Sequence, residues 1–92
     1  MDNYHLELEA YLPEICEWLA RILPEGYQTR VRLTSEANLS LLHSSLGDML
    51  RGNCLQEGRK LFELFYLNGI TETDEMVRLV IKRFHAYLQN AE

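Results

Sequence analysis

The stretch from Leu41 to Gly69 constrains the fold of this chain more than any other segment. It is predicted to form two helices folded back to back and joined at Arg51-Gly52-Asn53. The second helix ends in LFELFYL, in which Glu63 is the only polar residue among seven. A helix that is apolar on nearly all sides must be buried. We therefore expect either full burial by the flanking helices or an apolar remainder that forms an interaction surface.

Length and charge limit the class of protein. The 92 residues predict one domain, residues 1–92, and a hydrophobic fraction of 47% with 25% charged residues is typical of a globular chain. The net charge of −5 argues against nucleic-acid binding, which needs clustered Lys and Arg. The acidic residues are dispersed among basic ones, which is not typical of an acidic DNA mimic.

The N-terminus and the apolar runs indicate a cytoplasmic protein. The first ten residues, MDNYHLELEA, are acidic and lack the positive region of a secretory signal. No run reaches the roughly 18 apolar residues of a membrane span. We therefore expect no membrane association.

The first helix is predicted from about Asn3 to Leu23. Its apolar positions recur at spacings of three and four, as on one face of a helix. These positions are Leu8, Leu12, Ile15, Leu19 and Ile22. Pro13 removes one backbone hydrogen bond, so it is expected either to kink this helix or to split it into two.

Residues 27–33 alternate between apolar and polar side chains. Tyr27, Thr29, Val31 and Leu33 alternate with Gln28, Arg30 and Arg32, which is typical of a half-buried strand. No second alternating segment is present to pair with it, so an extended linker is favoured over a strand completed by a partner.

Three further helices are predicted after this segment. Thr34 or Ser35 is expected to cap a helix that carries Leu39, Leu42, Leu46, Met49 and Leu50 and ends at Gly52-Asn53. The next helix is predicted from about Leu55 to Leu67. Thr71 and Asp74 resemble a capping box for the last helix. That helix has an apolar face formed by Met76, Val77, Val80, Ile81, Phe84, Tyr87 and Leu88. The predicted fold class is all-α, with four to five helices.

Residues with catalytic or metal-binding chemistry are sparse. His5, His43 and His85 are far apart and have no Cys or carboxylate at metal-ligand spacing, so His5 and His85 are expected to be solvent-exposed. Cys16 and Cys54 are expected to act as small buried hydrophobic residues. We predict no enzyme activity, no cofactor and no metal.

The basic residues of the last helix permit two interpretations. Arg78, Lys82, His85 and Gln89 lie opposite its apolar face, and a solvated surface is the favoured interpretation. The alternative is a docking strip for an acidic partner. Asp74, four residues before Arg78, is expected to neutralise part of this strip.

The central helix pair resembles a tetratricopeptide repeat. Leu46-Gly47 matches the Leu-Gly pair of the first repeat helix, and Leu50 falls where a large residue is expected. Gly58 occupies the small position at which the two helices cross, and Phe62 follows in the aromatic position. The chain departs from the repeat where His43 replaces an aromatic residue, where Phe65 replaces a small residue, and in lacking a closing Pro.

Among small repeat proteins, the chain resembles the needle-subunit chaperones of bacterial type III secretion systems. The similar segments are Glu17-Trp18-Leu19 and Ser44 to Leu61. The resemblance implies a cytoplasmic virulence-associated chaperone that holds an amphipathic helix of a self-polymerising client, often with a small helical co-chaperone. It implies no catalysis and no cofactor.

A partner-binding groove is the predicted functional site. An amphipathic helix binds such a groove through anchors spaced three or four residues apart. The residues predicted to form the core or the groove are Leu46, Leu50, Phe62, Phe65, Tyr66, Phe84 and Tyr87. Two alternatives remain open: a phage-type helical inhibitor that occludes a larger machine, and a homodimer that uses LFELFYL as a symmetric interface.

Overall fold

The computed structural model describes residues 3–90, and every regular element in that range is helical. The elements are α1 (Tyr4–Ile22), α2 (Glu25–Leu33), a 3₁₀ helix (Glu36–Leu42), α3 (Leu46–Asn53), α4 (Lys60–Leu67) and α5 (Thr73–Gln89). The predicted all-α fold class is confirmed, with the 3₁₀ helix bringing the elements to six.

Helix α5 is the centre of the packing. It contacts α1, α2, α3 and the 3₁₀ helix, whereas α4 packs against α1. The buried side chains of α5 are Met76, Val77, Val80, Ile81, Phe84, His85 and Leu88. Apart from His85, these residues form the apolar stripe predicted from three- and four-residue spacing.

Helix α1 is continuous through Pro13, so the prediction of two shorter helices is wrong. A Pro inside a helix costs about 3 kcal/mol. Leu8 and Leu12 before it, and Ile15 and Leu19 after it, are all buried in the core. Burying each such side chain is worth roughly 1.5–3 kcal/mol, so four of them outweigh the cost of the Pro.

Residues 27–33 belong to α2, so both the linker and the strand predictions are wrong. Val31 is fully buried, whereas Leu33 is 74% exposed, so the apolar alternation does not mark a buried face. The Gln28 side-chain nitrogen donates to the carbonyls of Ala20 (2.8 Å) and Leu23 (2.7 Å) at the end of α1. A helix also satisfies its own backbone groups, which an unpaired strand does not.

The helix predicted to carry both Leu39 and Leu50 is two elements. The 3₁₀ helix ends at Leu42, and α3 begins at Leu46. Ser35 precedes the 3₁₀ helix without making a side-chain capping bond. Thr34 instead donates from its hydroxyl to the Arg30 carbonyl (2.6 Å), so it closes α2.

The connection between α3 and α4 differs from the predicted repeat turn. Helix α3 ends at Asn53 as expected, but α4 begins at Lys60 instead of Leu55. Gly58 lies in the connection with a φ of +87°, and a Cβ there would meet no atom within 4 Å. The predicted helix crossing at Gly58 is therefore wrong.

The close helix approach lies at Gly47 instead. A Cβ at this position would stand 3.1 Å from Val77 Cγ1, which is tighter than ordinary van der Waals contact. Gly47 thus allows α3 to pack closely on α5, and α4 packs on α1. The two helices of the predicted hairpin therefore bury their faces mainly on different neighbours.

The prediction for the end of α4 is confirmed, whereas the prediction for the start of α5 is wrong. The predicted stop at Asn68-Gly69 is confirmed, because Gly69 has a φ of +83° and the Ile70 N–H bonds to the Phe65 carbonyl (3.0 Å). The predicted capping box is wrong, because Glu72 precedes α5 and makes no side-chain capping bond. Asp74 instead forms an ion pair with Arg51 of α3.

Candidate functional site

Four of the seven predicted core or groove residues lie inside the core. Leu46, Leu50, Phe65 and Phe84 are each at most 1% exposed. A partner cannot contact them while the chain keeps this fold. Their role in the structure is packing.

The other three predicted residues reach the surface in two separate ring pairs. Phe62 and Tyr66 of α4 stack with their centroids 6.3 Å apart, and Tyr66 is 54% exposed. Tyr87 is half-buried and stacks on Phe84 of α5, also at 6.3 Å. The predicted set therefore does not line one continuous groove.

The LFELFYL run is only partly buried. Leu61, Leu64 and Phe65 lie in the core, whereas Tyr66 and Leu67 are 54% and 50% exposed. Full self-burial of this helix does not occur. An apolar remainder is left on the surface of α4.

A cleft of about 500 Å³ lies between α1 and the segment 53–61. Tyr11 and Trp18 line its α1 side, and Arg59 and Lys60 line the opposite side. Arg21, near the end of α1, also borders it. We call this feature the α1 cleft, and its volume falls within the range of roughly 300–1,000 Å³ that is typical of ligand sites.

The α1 cleft is positioned by helix periodicity. Tyr11 and Trp18 are seven residues apart, so their side chains stand on the same side of α1 about two turns apart. Lys60 is the first residue of α4, and its Nζ lies 4.6 Å from the centroid of the Tyr11 ring. This cation–π contact joins the two sides of the cleft.

The α1 cleft and the Phe62–Tyr66 pair lie on different sides of α4. Each residue turns a helix by 100°, so Phe62 and Tyr66 lie roughly 200° and 240° around the axis from Lys60. Lys60 faces α1, so the stacked pair faces away from it. The two surfaces are therefore independent.

The charge of the α1 cleft is opposite to that of the whole chain. Arg21, Arg59 and Lys60 line it together with one carboxylate, Glu14, although the net charge of the chain is −5. Within residues 3–90, none of these three cations has a carboxylate within ion-pair distance. Cations without an acidic partner favour a negatively charged ligand.

Burial keeps both cysteines in the thiol form. It raises the pKa of Cys54, at the α1 cleft, to about 11, and Arg59 opposes this shift only in part. Burial also raises the pKa of Cys16, in the core, to about 11. The expectation of small buried hydrophobic residues is confirmed for Cys16, whereas Cys54 is half-buried. Neither is a thiolate nucleophile at neutral pH.

These pKa shifts predict the dependence of stability on pH. A thiol with a folded pKa of about 11, against 9.0 for the unperturbed group, binds its proton more tightly in the folded state. Its stabilising contribution is therefore complete below pH 9 and is lost as the pH rises towards 11. We expect the free energy of unfolding, measured by urea denaturation, to fall over this range.

The Cys16→Ala variant is the control for this prediction, and its stability should fall less steeply with pH than that of the wild type. Alkylation of Cys54 by iodoacetamide should be slow at pH 8 and accelerate above pH 9. Alkylation at pH 8 as fast as in the urea-unfolded chain would contradict the assigned burial.

His85 is buried, so the prediction of a solvent-exposed side chain is wrong. Its Nε2–H donates to the Thr34 carbonyl at 2.7 Å and ties α5 to the end of α2. His5 is exposed, as expected. The described part of the chain contains no group of three or more His, Cys, Asp or Glu side chains suited to hold a metal ion.

The structure differs from the predicted basic strip on α5 in two ways. His85 is not at the surface, and Asp74 does not neutralise the strip. His85 is buried, whereas Arg78 and Lys82 are exposed. Arg78 pairs with Glu75 at 3.2 Å, and Asp74 pairs with Arg51 instead. The exposed members of the strip are therefore Arg78, Lys82 and Gln89, of which two are basic.

Sequence reasoning missed the α1 cleft as a site. Tyr11 and Trp18 lie in the predicted first helix but outside the five positions of its apolar stripe, and both are half-buried. Their seven-residue spacing is the available signal for a shared side. The opposing Arg59 and Lys60 were assigned to a helix interior that the structure replaces with a connection and a helix start.

No helix within residues 3–90 has the length and apolar character needed to cross a membrane.

The comparisons with known proteins identify a family. No curated protein and no solved structure matches the chain. A family model described as a domain of unknown function, DUF6794, matches residues 10–88, which include the α1 cleft and nearly all of the core. The chain therefore belongs to the DUF6794 family.

Proposed function

We propose that this chain is a protein-binding module that holds an acidic amphipathic helix of a partner protein in the α1 cleft. The observation that carries this proposal is the combination of two aromatic side chains on one wall with three cations that have no ion-pair partner within residues 3–90. Aromatic side chains and Arg are the residues enriched at the centres of protein interfaces. The proposed activity is binding without catalysis and without a cofactor.

The spacing of the aromatic residues favours a helix as the bound segment. Tyr11 and Trp18 are separated by about 10 Å along the axis of α1. An amphipathic helix lying along α1 presents anchors at the same interval, at positions i and i+7. Its acidic side chains would then face Arg21, Arg59 and Lys60.

The resemblance to needle-subunit chaperones suggests what such binding would accomplish. Covering the apolar stripe of a self-assembling client in the cytoplasm would prevent its premature polymerisation. That the partner is a self-assembling client of this kind, and that a second small co-chaperone takes part, remain predictions from the resemblance. Occlusion of a larger machine by a phage-type inhibitor would use the same kind of contact.

A homodimer is the second candidate, and the exposed apolar remainder of α4 favours it. Tyr66 and Leu67 are both at least half exposed, and Phe62 stacks on Tyr66. A symmetric interface would cover this surface with its own copy. The α1 cleft would remain open in a dimer centred on Phe62 and Tyr66, because these two residues lie on the side of α4 away from Lys60.

Fluorescence of Trp18 tests the proposed function directly, because it is the single Trp of the chain. The probe is a helical peptide with Leu at positions i, i+3, i+4 and i+7 and Glu on both flanks. We expect a saturable change in Trp18 emission. The Arg59→Glu variant should bind about tenfold more weakly because it replaces an attraction with a repulsion.

Arg30→Glu is the matched control, because Arg30 is exposed on α2 and does not line the α1 cleft. Its affinity should stay within about twofold of the wild type, since distant exposed charges are screened. Equal binding of a second peptide with Lys in place of Glu would overturn the assigned charge preference. A dimer in sedimentation that dissociates in the Tyr66→Glu variant would support the second candidate.

A further inference from the structure

A second cavity, of about 260 Å³, lies between the 3₁₀ helix and α5. Leu39 and Ile81 line its apolar interior, and both are buried. Its rim is polar and carries Arg78 and Lys82 from α5. We call this feature the 3₁₀ cavity.

The geometry of the 3₁₀ helix explains why a cavity forms here. Side chains three residues apart eclipse in this type of helix. Leu39 and Leu42 form a row that is buried in the core. Ala37 and Ser40 form the next row, continued by His43, and this row faces the cavity. The small side chains of Ala37 and Ser40 leave the space that larger residues would fill.

Helix α5 contributes the charges. Arg78 and Lys82 are four residues apart, so they stand on the same face of the helix. Arg78 uses one terminal nitrogen to donate to Glu75 at 3.2 Å, and a guanidinium has five N–H donors in all. Glu36 is the acidic residue of the rim, so two cations face one carboxylate around the cavity.

We propose that the 3₁₀ cavity binds a small organic acid with an apolar body. The carboxylate would lie at Arg78 and Lys82, with the Ser40 hydroxyl as a further donor, and the apolar body would rest on Leu39 and Ile81. The volume is below the roughly 300–1,000 Å³ of typical ligand sites, which limits the ligand to a small molecule. This site is independent of the α1 cleft and goes beyond the proposed protein binding.

Both halves of the ligand are needed for recognition. An anion without an apolar body leaves the surfaces of Leu39 and Ile81 in contact with water. An apolar molecule without a charge offers no acceptor to Lys82 or to the Arg78 N–H donors that Glu75 does not use, and an Arg guanidinium is well suited to carboxylate recognition. Binding is therefore expected to require a carboxylate and an apolar chain in one molecule.

Titration of the ¹⁵N-labelled chain followed by amide NMR tests this proposal, with hexanoate as the probe. We expect saturable shifts at Leu39, Ser40 and Ile81. Hexanol and inorganic phosphate, which each lack one half of the ligand, should bind at least about tenfold more weakly. Lys82→Gln should weaken hexanoate binding about fivefold, and Ser40→Leu should abolish it by filling the cavity.

Arg30→Gln is the matched control, because it removes one exposed charge outside the 3₁₀ cavity and should leave hexanoate affinity unchanged. The amide spectrum of each variant reports whether it is folded. Equal binding of hexanol, equal binding of phosphate, or no saturable shift at these residues would each overturn the proposal. Loss of peptide binding in the α1 cleft would not affect it, because the two sites share no residue.

Discussion

Replacing Phe65 with Ala is expected to lower the free energy of unfolding by about 3–5 kcal/mol. The Phe65 side chain is 1% exposed, so truncating it removes buried apolar surface and leaves a cavity in the core. A domain of 92 residues has a total stability of roughly 5–14 kcal/mol. The variant should therefore lose a large part of its stability, which urea denaturation measures directly.

Thermal unfolding gives a second measure of the same effect. For a domain of this size, each kcal/mol lowers the melting temperature by about 4–8 °C, so we expect a fall of at least about 12 °C. The neighbouring Tyr66→Ala variant is the matched control. Because Tyr66 is 54% exposed, its stability should change by no more than about 1 kcal/mol.

This pair also separates core residues from partner-binding residues on α4. Peptide binding by Phe65→Ala, measured under conditions where the variant is folded, should be close to that of the wild type. Retained stability of Phe65→Ala together with lost peptide binding would contradict the core assignment. It would place Phe65 in a groove, as one of the sequence-based interpretations allowed.

Replacing Gly47 with Leu is expected to destabilise the fold by about 1–3 kcal/mol, the usual cost of overpacking a core. The Cβ alone would stand 3.1 Å from Val77 Cγ1 and 3.4 Å from Arg51 Nη1, and the three further carbons of Leu add to this crowding. Helix α3 would have to move away from α5. Urea denaturation again provides the measurement.

Gly52→Leu is the matched control for this prediction. Gly52 lies in the same helix, but a Cβ there would meet no atom within 4 Å. The change should be neutral or stabilising by up to about 1 kcal/mol, because Leu is a better helix former than Gly. Truncation of the facing side chain in the Gly47→Leu, Val77→Ala double variant should recover part of the lost stability. Equal effects of the two Leu substitutions would show that α3 and α5 are not in close contact at Gly47.

The helices with strong apolar periodicity could be predicted from the sequence. Helices α1 and α5 carry stripes at three- and four-residue spacing, and most of each stripe lies in the core as expected. The exceptions are Ile22, which is 48% exposed at the end of α1, and Tyr87, which is half-buried. Periodicity is a local property, so it predicts the buried face before any neighbour is known. The stop at Asn68-Gly69 is equally local, because Gly69 adopts the left-handed backbone that such a turn requires.

Helix α2 shows where local patterns fail. The alternation of residues 27–33 is typical of a strand, but Gln28 bonds to the end of α1 and Val31 packs in the core. Both contacts depend on how α2 sits against other helices. Tertiary contacts of this kind routinely override a weak local preference.

The sequence could not separate core residues from groove residues for a related reason. Leu46, Leu50, Phe65 and Phe84 were grouped because they are large and apolar, a property shared by core and binding residues alike. The α1 cleft instead combines Tyr11 and Trp18 with Arg59 and Lys60, which lie between 41 and 49 residues further along the chain. No local spacing links two segments so far apart.

The amino-acid order alone determined that this chain is helical, which faces of α1 and α5 are apolar, and where α3 and α4 end. These properties depend on side chains within a few turns of each other, so they can be seen in the sequence. Packing between helices decided the remaining features. These are the helical structure of α2, the close contact at Gly47, the burial of His85 and the two cavities. Such packing brings distant segments together, and the same apolar residue becomes core or surface only when a neighbouring helix covers it or leaves it exposed.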